Sequence, residues 1–198
     1  MIKFSIQKNR GFTLVEAMVA ISIFTVSILA SMAVLTNSIQ NTKYAKEKVT
    51  AEYLAQEGIE YARNMRDTYM LYYPPDATTG WNKFATNVTA ANCNASNGCY
   101  FGDLSSSDFN NSNMPITGIT MSSCSTNSTS VCSNHPLLYN AANGTYGYTS
   151  GVNSGYARAI KITFNGNQAN ISSTVSWLQG SGLNKVTFSE TLSAWITQ

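Results

Sequence analysis

Charge is what this 198-residue chain has least of. Lys, Arg, Asp and Glu make up 11% of it, under half of the ~25% usual for a soluble domain. With 12 basic and 10 acidic residues the formal charge is +2. That balance excludes nucleic-acid binding through bulk positive charge; Arg158, Lys161 and Lys185 are too few to argue for it. It also excludes an acidic disordered tail. Histidine is nearly absent: His135 stands alone and supports no Ser/His/Asp arrangement. No Gly-rich phosphate loop follows a strand. The GYTSG string at 147–151 carries Thr149 where a nucleophile elbow needs serine. Asp103 and Asp108 lack calcium-loop spacing. The expectation is a protein that is not an enzyme, with no cofactor and no metal. The missing charge has two available causes, a membrane segment or a neutral polar surface.

Both occur, in different zones. Residues 1–11 carry Lys3, Lys8 and Arg10 and no acid. Residues 12–42 carry one charge, Glu16. Within them Ala17–Leu35 is 19 residues without charge, glycine or proline, enough to cross ~30 Å of hydrocarbon as a helix. The run is longer than a secretory signal core and has no small-residue cleavage site after it, so it reads as a retained anchor. Residues 43–73 place small or apolar side chains at Ala51, Leu54, Ala55, Gly58, Ala62, Met65, Tyr69 and Tyr72, one face of a helix. Arg63 and Asp67 are spaced to pair at i,i+4. No proline separates the two segments, so one helix is expected from about Phe12 to Tyr72, ended by Pro74-Pro75.

Residues 74–157 hold four charges and all four cysteines. They are rich in Asn, Ser, Thr and Gly and read as long loops with short strands. Six N-x-S/T sequons occur, at Asn87, Asn94, Asn110, Asn127, Asn143 and Asn170, several of which such a composition produces unaided. Tyr139, Tyr146, Tyr148 and Tyr156 are expected to pack loops over a sheet. Residues 158–198 regain alternation. Ile160, Ile162 and Phe164 share a side, as do Ile171, Val175 and Trp177, then Val186 and Phe188. Asn165-Gly166 and Gly180-Ser181-Gly182 mark turns. The result is an antiparallel meander of three strands whose apolar face matches the helix stripe. Glu190 falls on the inward parity, so a bulge or a departure from strand geometry is expected there; Leu192, Trp195 and Ile196 would also suit a helical turn.

The junction is the most specific segment. Three basic residues, then Gly11-Phe12-Thr13-Leu14-Val15-Glu16, then a charge-free apolar run resemble the prepilin signal of type IV pilins, type II secretion pseudopilins and competence pilins. AEYLAQEGIEYARNMRD at 51–67 and the strand-rich end are similar, more loosely, to minor pilins of the PilV/GspI-like kind. The resemblance implies a pilin-like α+β fold: a long N-terminal helix, half transmembrane and half amphipathic, packed on a C-terminal antiparallel sheet. It implies cleavage by a prepilin peptidase between Gly11 and Phe12 and N-methylation of Phe12. A glycine there lets a peptidase approach the bond. Without the leader, nine basic side chains remain against ten acidic ones.

The resemblance also implies that Glu16 meets the N-terminal amine of a neighbouring subunit and sets filament register. A carboxylate at the lipid end of an apolar helix needs such a partner. The implied partners are other pilin subunits, the peptidase, the assembly machinery and the inner membrane. Basic residues flank the apolar run on both sides, so charge alone does not orient it; the resemblance places the N-terminus in the cytoplasm and the rest outside. Many major pilins carry a helix-kinking proline in the apolar run. Here Ala33 sits near that place, which shades the reading toward a minor subunit.

Outside the cytoplasm an even cysteine count reads as disulfides. Cys93, Cys99, Cys124 and Cys132 allow three connectivities, of which the two local pairs are preferred. Closing loops of seven and nine residues would contribute roughly 2.4 and 2.6 kcal/mol in the chain-entropy model. Zinc is the alternative, with His135 three residues after Cys132, but the spacings do not match C-x₂₋₄-C ligand pairs.

Overall fold

The structure is a computed structural model that describes residues 11–73, 77–102, 121–124, 132–180 and 182–194. Lys3, Lys8, Arg10, Pro74-Pro75, Asp103, Asp108, Asn110, Asn127, Ser181, Trp195 and Ile196 lie outside these. The chain forms two compact units, residues 1–46 and 47–198.

The first helix, α1, spans Leu14–Tyr72 and supplies the described part of the first unit. From Gly11 to Lys46 every side chain is exposed except half-buried Ala17. An apolar surface of that extent is unfavourable in water and suits lipid or other helices. Most hydroxyls within it have partners on the helix itself. Ser22 donates to Val19 O, Ser27 to Ile23 O, Ser31 to Ser27 O and Thr36 to Met32 O, at 2.8–3.0 Å. Such back-bonding satisfies a polar group without water, the condition for entering hydrocarbon.

In the second unit, the later part of α1 packs on a sheet. Its buried stripe is Ala51, Leu54, Ala55, Gly58, Ile59, Ala62, Met65, Arg66, Tyr69 and Met70. The helical period accounts for this face up to Tyr69. Tyr72 departs from it: it is 41% exposed, because Met70 turns inward in the last turn instead.

The sheet has the order β2-β1-β6-β7-β8. Strands β6 (Tyr156–Asn165), β7 (Gln168–Gln179) and β8 (Gly182–Ser193) form the meander. The sheet is wider than that meander, since β1 (Cys99–Phe101) and β2 (Met121–Ser123) add to its edge, all antiparallel. The first turn lies one residue later than the Asn-Gly signal suggests. Asn165 pairs with Gln168, so Gly166 and Asn167 form the loop, and Gly166 takes φ +57°, as a type II′ hairpin turn requires at its first central position.

The structure shows neither a bulge nor a break at Glu190. The register runs unbroken from Gln168↔Ser193 to Gln179↔Gly182, with Ile171 opposite Glu190. Glu190 tolerates the inward side because Arg63 of α1 bonds both its oxygens, at 2.6 and 2.7 Å. Arg63 therefore does not pair with Asp67. Its other partner is Glu60 at 2.5 Å, and Asp67 takes Arg66. Hydrogen bonding to Glu190 pushes the Arg63 guanidinium above its ordinary pKa. Strand β8 stays extended through buried Leu192, which pairs with Ala169.

The loop zone also contains a helix, which corrects its reading as loops and short strands. α2 spans Ala77–Ala90. Trp81, Phe84 and Val88 form its buried stripe, with Trp81 and Phe84 rings 5.7 and 5.6 Å from Phe164. Trp81 Nε1 donates to Gly166 O at 3.3 Å, fastening α2 to the first turn. Asn and Thr are poor helix formers, so packing rather than propensity holds this helix. A second, smaller sheet has the order β4-β3-β5, from β3 (Leu138–Asn140), β4 (Thr145–Gly147) and β5 (Val152–Asn153).

Gly58 lets α1 approach the sheet closely. A Cβ there would collide with Ser173 Oγ and lie 3.1 Å from Arg158 Cδ. Gly58→Leu is expected to lower the unfolding free energy by about 3 kcal/mol through overpacking. Denaturant unfolding of the full chain checks this; a loss below about 1 kcal/mol would show that the helix can shift away.

Candidate functional site: the N-terminal segment and what the second unit holds

Gly11 and Phe12 precede the helix and are exposed, Phe12 to 73%. A Cβ on Gly11 would meet nothing within 4 Å, so this chain's own fold does not demand a glycine there. The helix begins on a cap. Thr13 Oγ1 accepts the Glu16 N–H at 3.3 Å, and Thr13 O accepts the Ala17 N–H at 3.2 Å. Thr13-Leu14-Val15-Glu16 has the T-x-x-E spacing of a capping box, of which the structure shows the Thr13 half. This local signal lies inside the motif and is independent of any resemblance. Glu16 sits at the third helical position, where a negative charge complements the positive end of the helix. A cut after Gly11 would leave cap, helix and Glu16 whole, with the new amine one residue before the cap. Leu14–Tyr72 includes a window long and apolar enough to cross a membrane, a property suited to anchoring.

In the second unit, disulfides join Cys93 to Cys99 and Cys124 to Cys132. The first lies in the main core beside Ile160 and Ile162, where Cys93 O accepts the Ile162 N–H at 3.0 Å. The second packs on Ala159, on the opposite face of β6. His135 stacks on Tyr100 at 4.4 Å, and all four cysteine sulfurs are bonded to one another in pairs. Among the sequons, Asn87 is half-buried and its amide donates to the hydroxyl of Tyr69. Burial pushes the Tyr69 phenol pKa up. The tyrosines form a chain of rings, with Tyr146 5.1 Å from Tyr139 and 6.2 Å from Tyr156.

Arg158 leaves the group of surface cations. It is 2% exposed. One guanidinium nitrogen bonds Glu57 Oε2 at 2.6 Å and Leu54 O at 3.1 Å. The rings of Tyr61 and Tyr148 lie 5.2 and 6.0 Å from its centre. Burial pulls its pKa down, but Tyr148, Glu57 and Tyr61 together more than offset that and leave it above the ordinary value. The alternation of β6 carried the signal, because Arg158 has the same parity as Ile160 and Ile162.

These features define a class. It is an α+β protein in a pilin-like arrangement, with a long N-terminal helix packed on a C-terminal antiparallel sheet and an apolar, capped N-terminal segment preceded by an exposed Gly-Phe bond. Residues 6–32 match the family model described as the prokaryotic N-terminal methylation motif. That match covers the junction and most of the apolar run, and it supports a type IV pilin or pseudopilin-type subunit that a prepilin peptidase processes. Searches of curated proteins and of solved structures gave no match.

Proposed function

We propose that this chain is a structural subunit, without enzymatic activity, of a type IV pilus-like filament. Its leader is removed between Gly11 and Phe12, and Phe12 is N-methylated. The apolar part of α1 holds the subunit in the inner membrane with its N-terminus in the cytoplasm. In the filament the same surface packs against the helices of other subunits. One observation carries the reading: the methylation motif coincides with the cap of a helix whose side chains, half-buried Ala17 apart, stay exposed over its apolar run. The unbroken α1, without a proline, favours a minor subunit over a major one.

The test is mass spectrometry of the N-terminal peptide from membrane-extracted protein. The expected mature chain starts at N-methyl-Phe12. A chain still starting at Met1, or one cut elsewhere, overturns the reading. Deletion then separates the two filament types: a minor pilin takes surface pili with it, a pseudopilin takes protein secretion.

A further inference from the structure

A groove of about 650 Å³ opens within the second unit, between α1 and the loops of the smaller sheet. Tyr53, Glu57 and Tyr61, one helical turn apart, form one wall; Asn143, Thr145 and Tyr146 stand on the other. The volume is that of a small-molecule site. Its composition differs from that of a core. Rings alternate with a carboxylate, an amide and hydroxyls, and among the described residues no Lys, Arg or His lines it.

The walls are held in place before any ligand arrives. Tyr61 lies against buried Arg158. Tyr146 is wedged between the rings of Tyr139 and Tyr156. The Asn143 loop is tied by its own side chains: Asn143 Oδ1 accepts from Thr145 N and Oγ1 at 3.3 and 2.7 Å, and Asn140 Oδ1 accepts from Ala142 N at 3.0 Å. Preorganisation of this kind lowers the entropy cost of binding. Several polar groups keep capacity. Among the described residues, Glu57 Oε1 and Asn143 Nδ2 have no hydrogen-bond partner, and Tyr53 is 69% exposed although it borders the groove.

We infer that this groove binds a neutral oligosaccharide. A sugar ring offers an apolar C–H face, which packs on a tyrosine ring, and an edge of hydroxyls that both donate and accept. Tyr53, which is 69% exposed, offers a ring for that face, flanked by the half-buried Tyr61 and Tyr146. Glu57 and Asn143 match the edge, one as acceptor and the other as donor. Glu57 is already paired with Arg158, so the lining carries no uncompensated charge and offers an anionic ligand no unpaired cation, which favours a neutral one. This inference goes beyond the filament role and does not depend on it.

The experiment is saturation-transfer NMR on the full chain in detergent micelles. The probes are chitotriose, maltotriose and cellotriose, with sialyllactose as the anionic comparison. At least one neutral trisaccharide is expected to bind saturably, with a dissociation constant of roughly 1 mM. Tyr53→Ala and Asn143→Ala should each weaken it about tenfold, equivalent to ~1.4 kcal/mol, while Tyr53→Phe keeps it. Tyr53 is largely exposed, so its loss leaves the fold intact, which circular dichroism verifies. No binding by any neutral probe, equal binding in both alanine variants, or preference for sialyllactose overturns the inference. None of these outcomes alters where the N-terminus is cut, so failure here is distinct from failure of the filament reading.

Discussion

Replacing Glu16 by alanine is expected to abolish entry into filaments while leaving cleavage and membrane level unchanged. Inside one chain the residue does little. At the third helical position its charge is worth about 0.3–1 kcal/mol against the helix dipole. The cap from Thr13 to the Glu16 backbone N–H does not involve its side chain. In the proposed filament the larger contribution is expected to be intermolecular. A carboxylate and an α-amino group 4 Å apart attract by about 4 kcal/mol at an effective dielectric of 20, close to a thousandfold in association. Burial among apolar helices would also leave an unpaired Glu16 costly, so the pair selects one register. Glu16→Gln separates charge from shape and is expected to fail like alanine. The readout is the amount of this subunit in sheared filaments relative to the membrane fraction. Normal incorporation of the glutamine variant would refute charge pairing as the basis of assembly.

Removing Glu57 is the second large effect, and it concerns stability. Glu57→Ala leaves Arg158, whose side chain is 3% exposed, without its carboxylate. Breaking a buried pair from one side costs about 3–5 kcal/mol. Because the Glu57 side chain is itself 41% exposed, the lower end, about 3 kcal/mol, is expected. For a unit of this size that lowers the melting temperature by roughly 6–12 °C. Arg158→Met in the same chain removes the stranded charge and should recover most of the loss, since apolar replacement of a buried pair is often neutral. Thermal unfolding of the full chain measures both. If the double variant is no more stable than Glu57→Ala alone, the cost arises from packing around the Arg158 stem and not from the charge.

Legibility from sequence followed the strength of the periodic signal. The helix stripe from Ala51 to Tyr69 and the meander from Tyr156 to Ser193 repeat over many residues, so their faces could be assigned. α2 could not be. Its stripe is only Trp81, Phe84 and Val88, set among Asn and Thr that look like loop. β1 and β2 are three residues each, too short to display a period. Glu190 looked like a flaw in β8 because its partner, Arg63, lies 127 residues away in sequence. The same blindness hid the groove, whose two walls are separated by some 80 residues of chain.

The sequence by itself determined what is local: the Gly11-Phe12 junction, the Thr13 cap with Glu16 one turn from Phe12, the uncharged run, and the alternation of the three long strands. Each is carried by residues within a turn or a pleat of one another, so no knowledge of the rest of the chain is needed. Tertiary structure decided the partners. It put Arg158 against Glu57, Arg63 against Glu190, α2 against Phe164 and the tyrosine wall of α1 opposite Asn143. Those pairings depend on which surfaces meet when apolar faces are buried together, and that is a property of the whole folded chain.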